Sequence, residues 1–286
     1  MNWISAYFSE NVCNLLAGSA VSTLKNSLSS STWNNAAARM LEKRETWSMS
    51  FNGQSVSEST VAKIKDDPHK RVTTLRVDVY QEYPEFDKNL AEILPFVAYD
   101  DSSALILCQR AQKKAMRKVM NLFVSERFRN NCFFSTIVNL ERICDASETF
   151  LRRCIEKRVL KSLSLGNGWK GTDTDWIQEL FSQQQLTAFN AADTRALYFG
   201  EYAINMLLAA IPTAQSGNRS YSFRRGFLAR GIRQTKEHMA KLVAKIGFEK
   251  PAKSKAKYHT TFYRGNATIS VDIGDPKLSL RVEYKP

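Results

Sequence analysis

Short triplets of the form apolar-x-apolar recur through the middle of the chain, and they predict β-strands because alternate residues of a strand point to opposite faces. The five triplets are Leu75-Arg76-Val77, Leu105-Ile106-Leu107, Val138-Asn139-Leu140, Leu163-Ser164-Leu165 and Phe189-Asn190-Ala191. Successive triplets lie 25 to 33 residues apart. Each of them predicts a short strand with one buried face.

Amphipathic helical patterns lie between these triplets, as in the stretches from Met116 to Phe123 and from Phe150 to Ile155. Strand and helix units that recur at this spacing predict an α/β fold with irregular, leucine-rich-repeat-like units and a parallel sheet. The spacing is irregular, and the asparagine or cysteine usual in such repeats is missing. An ordinary α/β sheet is therefore the competing interpretation.

The first 46 residues have a helical pattern, with apolar residues at spacings of three and four that place them on one face: Ile4, Phe8, Val12, Leu15 and Leu16. Two further short helices are expected, one from about Val21 and one from Trp33 to Arg44 after a run of serines that suits a helix N-cap. Three short helices cannot bury all their apolar faces alone. This segment therefore needs a partner or the rest of the chain.

The pattern changes to strict alternation in the last part of the chain. Ile269, Val271 and Ile273 alternate with polar residues, and the stretch from Leu278 to Tyr284 repeats the alternation. With the segment from Tyr258 to Tyr263 as a first strand, these stretches predict a three-stranded antiparallel meander. We expect a helical module at 1–46, a strand–helix repeat domain at 47–250, and the meander at 251–286 packed on the repeats.

The N-terminal segment resembles the F-box-like module of a large nematode protein family, on the residues Ile4, Phe8, Glu10, Val12, Cys13, Leu15, Leu16, Leu24, Leu28, Ser29 to Ser31, Trp33, Ala36 and Ala37. The stretches Phe150-Leu151, Leu160 to Leu165, Gly168-Trp169 and Leu180-Phe181 look like the degenerate repeats of that family, and the closing meander is similar too. Ser5 stands where such modules usually carry a proline.

The resemblance implies a substrate-recruiting subunit of a cullin-type ubiquitin ligase. Its N-terminal helices would bind the Skp adaptor protein, and its repeats would hold an unknown protein substrate. The partner-binding residues expected on this basis are Ile4, Phe8, Val12, Leu15, Leu16, Leu24 and Trp33. The alternative interpretation is that these side chains only cap the first repeat.

Charge is concentrated in one part of the chain. The net charge is +13, and residues 218–257 contain twelve basic side chains against two acidic ones. Aromatic residues interleave with Arg224, Arg225 and Arg230 in this window, which is the composition of a single-strand nucleic-acid platform. These three arginines and Arg233 are the candidate anion-binding residues. Nucleic-acid binding is the rival function, ranked lower because no recognisable nucleic-acid module accompanies the charges.

Little in the sequence indicates catalysis. The five cysteines form no CxxC pair, and the three histidines share no spacing with cysteines or carboxylates that would indicate a metal site or a triad. The stretch Gly166 to Thr172 has the wrong order for a phosphate loop and predicts a turn. We expect no enzyme activity, no cofactor and no bound metal.

The chain also lacks features of secreted or membrane proteins. Residues 1–11 contain Glu10 and no basic residue, unlike a secretory signal, and the longest apolar run is shorter than a membrane span. We expect a cytoplasmic or nuclear protein that makes no membrane contact.

Overall fold

The structure is a computed structural model of the chain. It describes residues 8–9, 12–13, 16, 18–27, 31–53, 63, 67, 69–81, 83, 85–108, 111–130, 132–169, 175–191, 205, 207–208, 218–224, 232–249, 259–273 and 277–284. The side chains of residues 18–19, 31, 175, 223–224, 232–236, 277 and 284 lie outside this description. The predicted site residues Ile4, Leu15, Arg225 and Arg230 also lie outside the described residues.

Ten strands and seven α-helices are present in the described part of the chain. The strands are β1 (Glu45–Phe51), β2 (Lys70–Val77), β3 (Ala104–Leu107), β4 (Thr136–Leu140), β5 (Ser162–Leu165), β6 (Ala188–Ala191), β7 (Arg219–Arg224), β8 (His259–Arg264), β9 (Ala267–Ile273) and β10 (Lys277–Tyr284). The helices are α1 (Gly18–Ser27), α2 (Ser31–Lys43), α3 (Phe86–Ile93), α4 (Lys113–Val124), α5 (Asp145–Glu156), α6 (Asp175–Phe181) and α7 (Ile232–Lys245), with a 3-10 turn at Leu94–Phe96.

In the first of two compact units the strands lie in the order β1-β2-β3, and in the second the order is β5-β6-β7-β10-β9-β8. The pairs β1–β2, β2–β3, β5–β6 and β6–β7 are parallel. The prediction of a mixed α/β fold with a mostly parallel sheet is confirmed. The chain divides into two compact units, Met1–Ile137 and Val138–Pro286. The expected domain limits at residues 46 and 250 stay predictions.

In the first unit, the apolar residues of three neighbouring strands align in register. Met49, Leu75 and Leu105 are register partners across β1, β2 and β3, and all three are buried. Helix α3 covers this face, where Phe86 meets Phe51 edge to face at 5.2 Å between ring centroids. Burial of one face explains why apolar residues alternate with polar ones in these strands.

In the second unit, one buried row of register partners runs across six strands. It contains Leu163, Phe189, Tyr221, Leu280, Val271 and Thr260. Each of these residues is at most 2% exposed. Phe181 of helix α6 packs edge to face on Phe189, with 5.0 Å between the ring centroids. The predicted inward direction of Leu163 and Leu165, with Ser162 and Ser164 only half-buried, is confirmed.

The antiparallel meander at the end of the chain is confirmed. Strand β9 pairs antiparallel with both β8 and β10, and β10 pairs antiparallel with β7. Gly265 and Asn266 form the turn between β8 and β9, and Gly265 has a φ of 56°, which a glycine adopts at little cost. The second expected turn, at Gly274-Asp275, lies outside the described residues.

Strands β1 and β7 are absent from the sequence-based prediction. In β1 the polar residues Ser48 and Ser50 separate Trp47, Met49 and Phe51. This alternation directly follows a segment with a helical pattern, and the sequence analysis therefore did not assign it to a strand. In β7 apolar and polar residues also alternate, as at Tyr221 and Ser222. This strand lies inside the basic window, which the sequence analysis assessed only for its charge. Both strands are held by neighbours that are distant in sequence, and such pairing leaves a weak local signal.

The buried row generates a test of the fold. We expect Leu163→Ala to lower the free energy of unfolding by about 2–5 kcal/mol, because the side chain is buried and its removal leaves a cavity. Ser164→Ala, one residue away on the opposite face, is the matched control and should change that free energy by less than about 0.5 kcal/mol. Urea unfolding followed by circular dichroism measures both. Equal losses for the two variants would contradict the assignment of the faces.

Candidate partner-binding surfaces

The N-terminal helices have an apolar cluster of their own. Its buried members are Cys13, Val21, Ala36, Ala37 and Met40. Leu16, Leu24, Trp33 and Leu41 are partly buried against it. Helices α1 and α2 therefore pack against each other through small residues on α2, which allow a close approach.

Four of the seven expected partner-binding residues have half-buried side chains, and one is mostly exposed. Leu16, Leu24 and Trp33 contact the cluster, and Val12 is half-buried. Phe8 is 54% exposed, and its ring lies edge to face on Trp33 with 6.4 Å between the centroids. The described part of the module thus presents an aromatic pair at its surface, with Phe8 outermost.

The described residues of the basic window have mixed roles. Arg219 is buried, and its guanidinium donates to the Gln184 carbonyl at 2.6 Å, so this arginine is part of the fold. Lys241 and Lys245 are exposed on α7. The backbone is described for two of the four candidate anion-binding arginines, with Arg224 in β7 and Arg233 in α7. Their side chains lie outside the described part of the chain.

Three strands, β1 in the first unit and β5 and β6 in the second, have a second face with short side chains. In the second unit, Ser162, Ser164, Ala188 and Asn190 of β5 and β6 are only half-buried, although their neighbours in the strands are buried. In the first unit, Thr46, Ser48 and Ser50 of β1 are exposed. We call these positions the open face of each unit. Such short side chains leave the strands accessible to another molecule.

The described part of the glycine-containing stretch, residues 166–169, directly follows β5. Trp169 is fully buried, and its Nε1 donates to the Leu140 carbonyl at 2.7 Å. Gly168 has a φ of 91°, and a Cβ there would lie 2.4 Å from the Arg142 carbonyl oxygen. The turn therefore holds β5 to the chain after β4. Lys170 and Thr172 lie outside the described residues.

One histidine has partners that the sequence did not indicate. His259 Nδ1 lies 2.5 Å from Asp272 Oδ1, and its Nε2 lies 2.9 Å from Thr261 Oγ1. Asp272 is the register partner of His259, so only the pairing of β8 with β9 brings them together. The His259 and Asp272 side chains are 47% and 57% exposed. We interpret the group as a solvated cross-strand pair that supports the register of the meander.

A cleft in the first unit has a volume of about 570 Å³ and is lined by Tyr83, Glu85, Phe86, Asp87, Lys88, Lys114 and Lys118. Its charges are largely matched. Lys118 Nζ lies 3.3 Å from Asp87 Oδ2, and Lys88 Nζ lies 3.6 Å from Glu85 Oε2. Lys118 of α4 therefore has an acidic neighbour on α3.

The thiols differ in access to solvent. Cys13, Cys132 and Cys154 are buried, whereas Cys108 and Cys144 are half-buried. Burial raises the pKa of the Cys132 thiol to about 12. Cys108 Sγ lies 3.4 Å from the hydroxyl of Tyr80, which is 61% exposed. Among the described residues, no three histidine, cysteine or carboxylate side chains come together to hold a metal ion.

Comparison with protein-family models, with curated proteins and with solved structures finds no match for this chain. No helix within the described ranges has the length and apolar character needed to cross a bilayer. Function is therefore inferred from the surfaces described above.

The difference in solvent access among the cysteine thiols can be tested by chemical modification. We expect iodoacetamide at pH 8 to modify Cys108 and Cys144 faster than Cys132, because only the thiolate reacts and a pKa of about 12 leaves very little of it. Mass spectrometry of peptides after timed quenching measures the rates. Denatured protein is the control, in which all five cysteines should react. Rapid modification of Cys132 in the folded protein would contradict its burial.

Proposed function

We propose that the chain is a substrate-recruiting subunit of a cullin-type ubiquitin ligase, which binds the Skp adaptor protein through its N-terminal helices. The observation that carries the proposal is the aromatic pair Phe8 and Trp33 at the surface of a module that already has its own apolar cluster. A module with this arrangement presents an aromatic surface that a partner would cover. Amphipathic helices commonly bind partners through such anchors.

The energetic gain from covering Phe8 is large enough to matter. Phe8 is 54% exposed, and an aromatic side chain buries about 150–250 Å² when fully covered. At roughly 25 cal/mol per Å², covering the exposed half is worth about 2–3 kcal/mol before the entropic cost of association. A few such contacts suffice for a specific complex.

The substrate would be held by the open faces of the strands. In this proposal the strand–helix units are leucine-rich-repeat-like, as the parallel pairing of successive strands within each unit favours. Helices such as α3 and α6 lie against the apolar face, where Phe86 and Phe181 make their ring contacts. The short side chains of Ser162, Ser164 and Asn190 on the other face allow close approach of a protein surface.

The docking role of Phe8 is testable. We expect Phe8→Ala to weaken binding to the purified Skp adaptor by about 1 kcal/mol or more, with little change in unfolding midpoint, because the side chain is mostly exposed. Tyr80→Ala is the matched control, since Tyr80 is an aromatic residue that is 61% exposed and follows β2, outside the helical segment. Biolayer interferometry measures affinity, and thermal unfolding measures stability.

Two outcomes would count against adaptor binding. If the wild-type chain shows no binding to the adaptor, or Phe8→Ala binds as wild type does, Phe8 is not an anchor. If Phe8→Ala unfolds the whole chain, the side chain serves to cap the sheet. Leu16→Ala and Trp33→Ala are less informative alone, because both side chains also pack on the apolar cluster.

The basic window gives a second test, which separates the recruiter from its nucleic-acid-binding rival. We expect no submicromolar binding to single-stranded nucleic acid at physiological salt, because no recognisable module accompanies the charges and one of them, Arg219, is used inside the fold. A filter-binding assay compares the wild type with the chain in which Arg224, Arg225, Arg230 and Arg233 are all replaced by alanine. Tight binding that is lost in the variant, with a steep salt dependence, would favour the rival.

A further inference from the structure

Helix α4 has one face that is strongly basic. Lys113, Lys114 and Arg117 are exposed and Lys118 is half-buried, and we call these four side chains the basic face of α4. The 12 residues of the helix include no acidic side chain. Among the described residues, Lys113 and Arg117 take part in no ion pair, whereas Lys118 pairs with Asp87 of α3. The buried residues of the helix are Ala115, Met116, Val119, Met120 and Phe123.

The lysines at the start of α4 oppose the helix dipole. Lys113 and Lys114 are its first two residues, the first turn has no acidic residue, and the N-cap residue Gln112 makes no side-chain capping hydrogen bond. The N-terminus of a helix carries a partial positive charge, so cations there lower the stability of the helix. Helix α5, by contrast, has Asp145 and Glu148 in its first turn. Local helix stability therefore does not explain the charge on α4.

The cleft of about 570 Å³ described above adjoins the basic face, because Lys114 and Lys118 belong to both. Its other lining residues are Tyr83, which is half-buried, and residues at the start of α3. A cleft of this volume has room for a side chain of a partner. The Asp87 carboxylate that pairs with Lys118 is 53% exposed. Such an exposed ion pair contributes little stability, so a ligand can rearrange it at small cost.

Glu85 lines the same cleft and has an unfavourable backbone conformation. Its φ of 59° and ψ of 16° are left-handed, and it precedes α3 without a side-chain capping hydrogen bond. A residue with a Cβ is uncommon in this conformation, and such positions cluster at functional sites. Two locally unfavourable arrangements, the lysines at the start of α4 and the left-handed residue before α3, thus meet at one cleft.

We propose that the basic face of α4 and the adjoining cleft bind an acidic segment of another protein. Carboxylates of the segment would contact Lys113 and Arg117, which have no acidic partner among the described residues. An apolar side chain between the carboxylates would enter the cleft beside Tyr83. Charge complementarity of this kind steers the approach of a partner and fixes its position.

The acids in the cleft favour a protein segment over nucleic acid or an anionic membrane. Glu85 and Asp87 line the cleft together with the lysines, and they would repel a ligand whose negative charges are closely and regularly spaced. A peptide can place its few carboxylates away from these two acids. The site is separate from the aromatic pair at Phe8 and from the basic window, and it does not depend on the proposed function.

The probe is a capped, fluorescently labelled peptide of four glutamates around two central leucines, added to the full chain. We expect saturable binding by fluorescence anisotropy, with an affinity that falls about five- to tenfold in the double variant Lys113→Gln with Arg117→Gln, because two charge contacts are lost. Lys241→Gln with Lys245→Gln is the matched control, since these side chains are also exposed and four residues apart, on α7. The control loses the same net charge and should bind the peptide as the wild type does.

Two further measurements separate binding from folding. The unfolding midpoint of the double variant at Lys113 and Arg117 should equal or slightly exceed that of the wild type, because a cation is removed from the start of the helix. Lys113→Arg with Arg117→Lys keeps both charges and should keep the affinity within about twofold. If the double glutamine variant does not fold, Arg117→Gln alone provides the test, with an expected loss of about two- to threefold.

The proposal is overturned if the wild type does not bind the acidic peptide at submillimolar concentration. It is also overturned if the two double glutamine variants lose the same affinity, since net charge alone would then explain the binding. A single-stranded oligonucleotide and vesicles containing phosphatidylserine are compared at the same ionic strength. If either binds more tightly than the peptide, and if this binding is lost when Lys113 and Arg117 are replaced by glutamine, the face recognises a polyanion and the proposed protein partner is wrong.

Discussion

The pairing of short strands through a common buried row is the constraint on which the second unit depends. A strand such as β5 or β6 has only four residues, so two inward side chains must supply most of its apolar burial. Leu163, Phe189 and Tyr221 lie side by side in this row, and the row continues into the C-terminal meander through Leu280. A shift of one residue in any strand would exchange its buried and open faces. The register is therefore strongly specified.

The same constraint explains how the meander joins the parallel strands. Strand β10 lies between β7 and β9 and pairs antiparallel with both, so its backbone donors and acceptors have partners on two sides. Strand β8 is the last strand of the sheet order. Its exposed residues include His259, which pairs with Asp272 on β9. Polar and charged side chains on an edge strand discourage pairing with another chain.

The functional proposals rest on surfaces of different character. The helical module buries a small apolar cluster of its own and leaves the Phe8 side chain mostly exposed. An exposed aromatic side chain favours a protein partner. The net charge of +13 is not one binding feature, because Arg219 donates to the Gln184 carbonyl inside the fold.

Local periodicity was sufficient to predict the positions of five strands, the helices between them and the closing meander, because burial of one face imposes spacings of two and of three to four on the sequence itself. The predicted face was wrong in β4, where Val138 is 38% exposed while Ile137 and Asn139 are buried, because Asn139 has a φ of 61° that interrupts the regular alternation of the strand. It also identified Trp33 and Leu16 as apolar residues of one module. The tertiary structure decided strands β1 and β7 and the pairing of His259 with Asp272. Each of these depends on which strands become neighbours and in which register, and that choice is made by long-range packing of buried rows, which short sequence patterns do not encode.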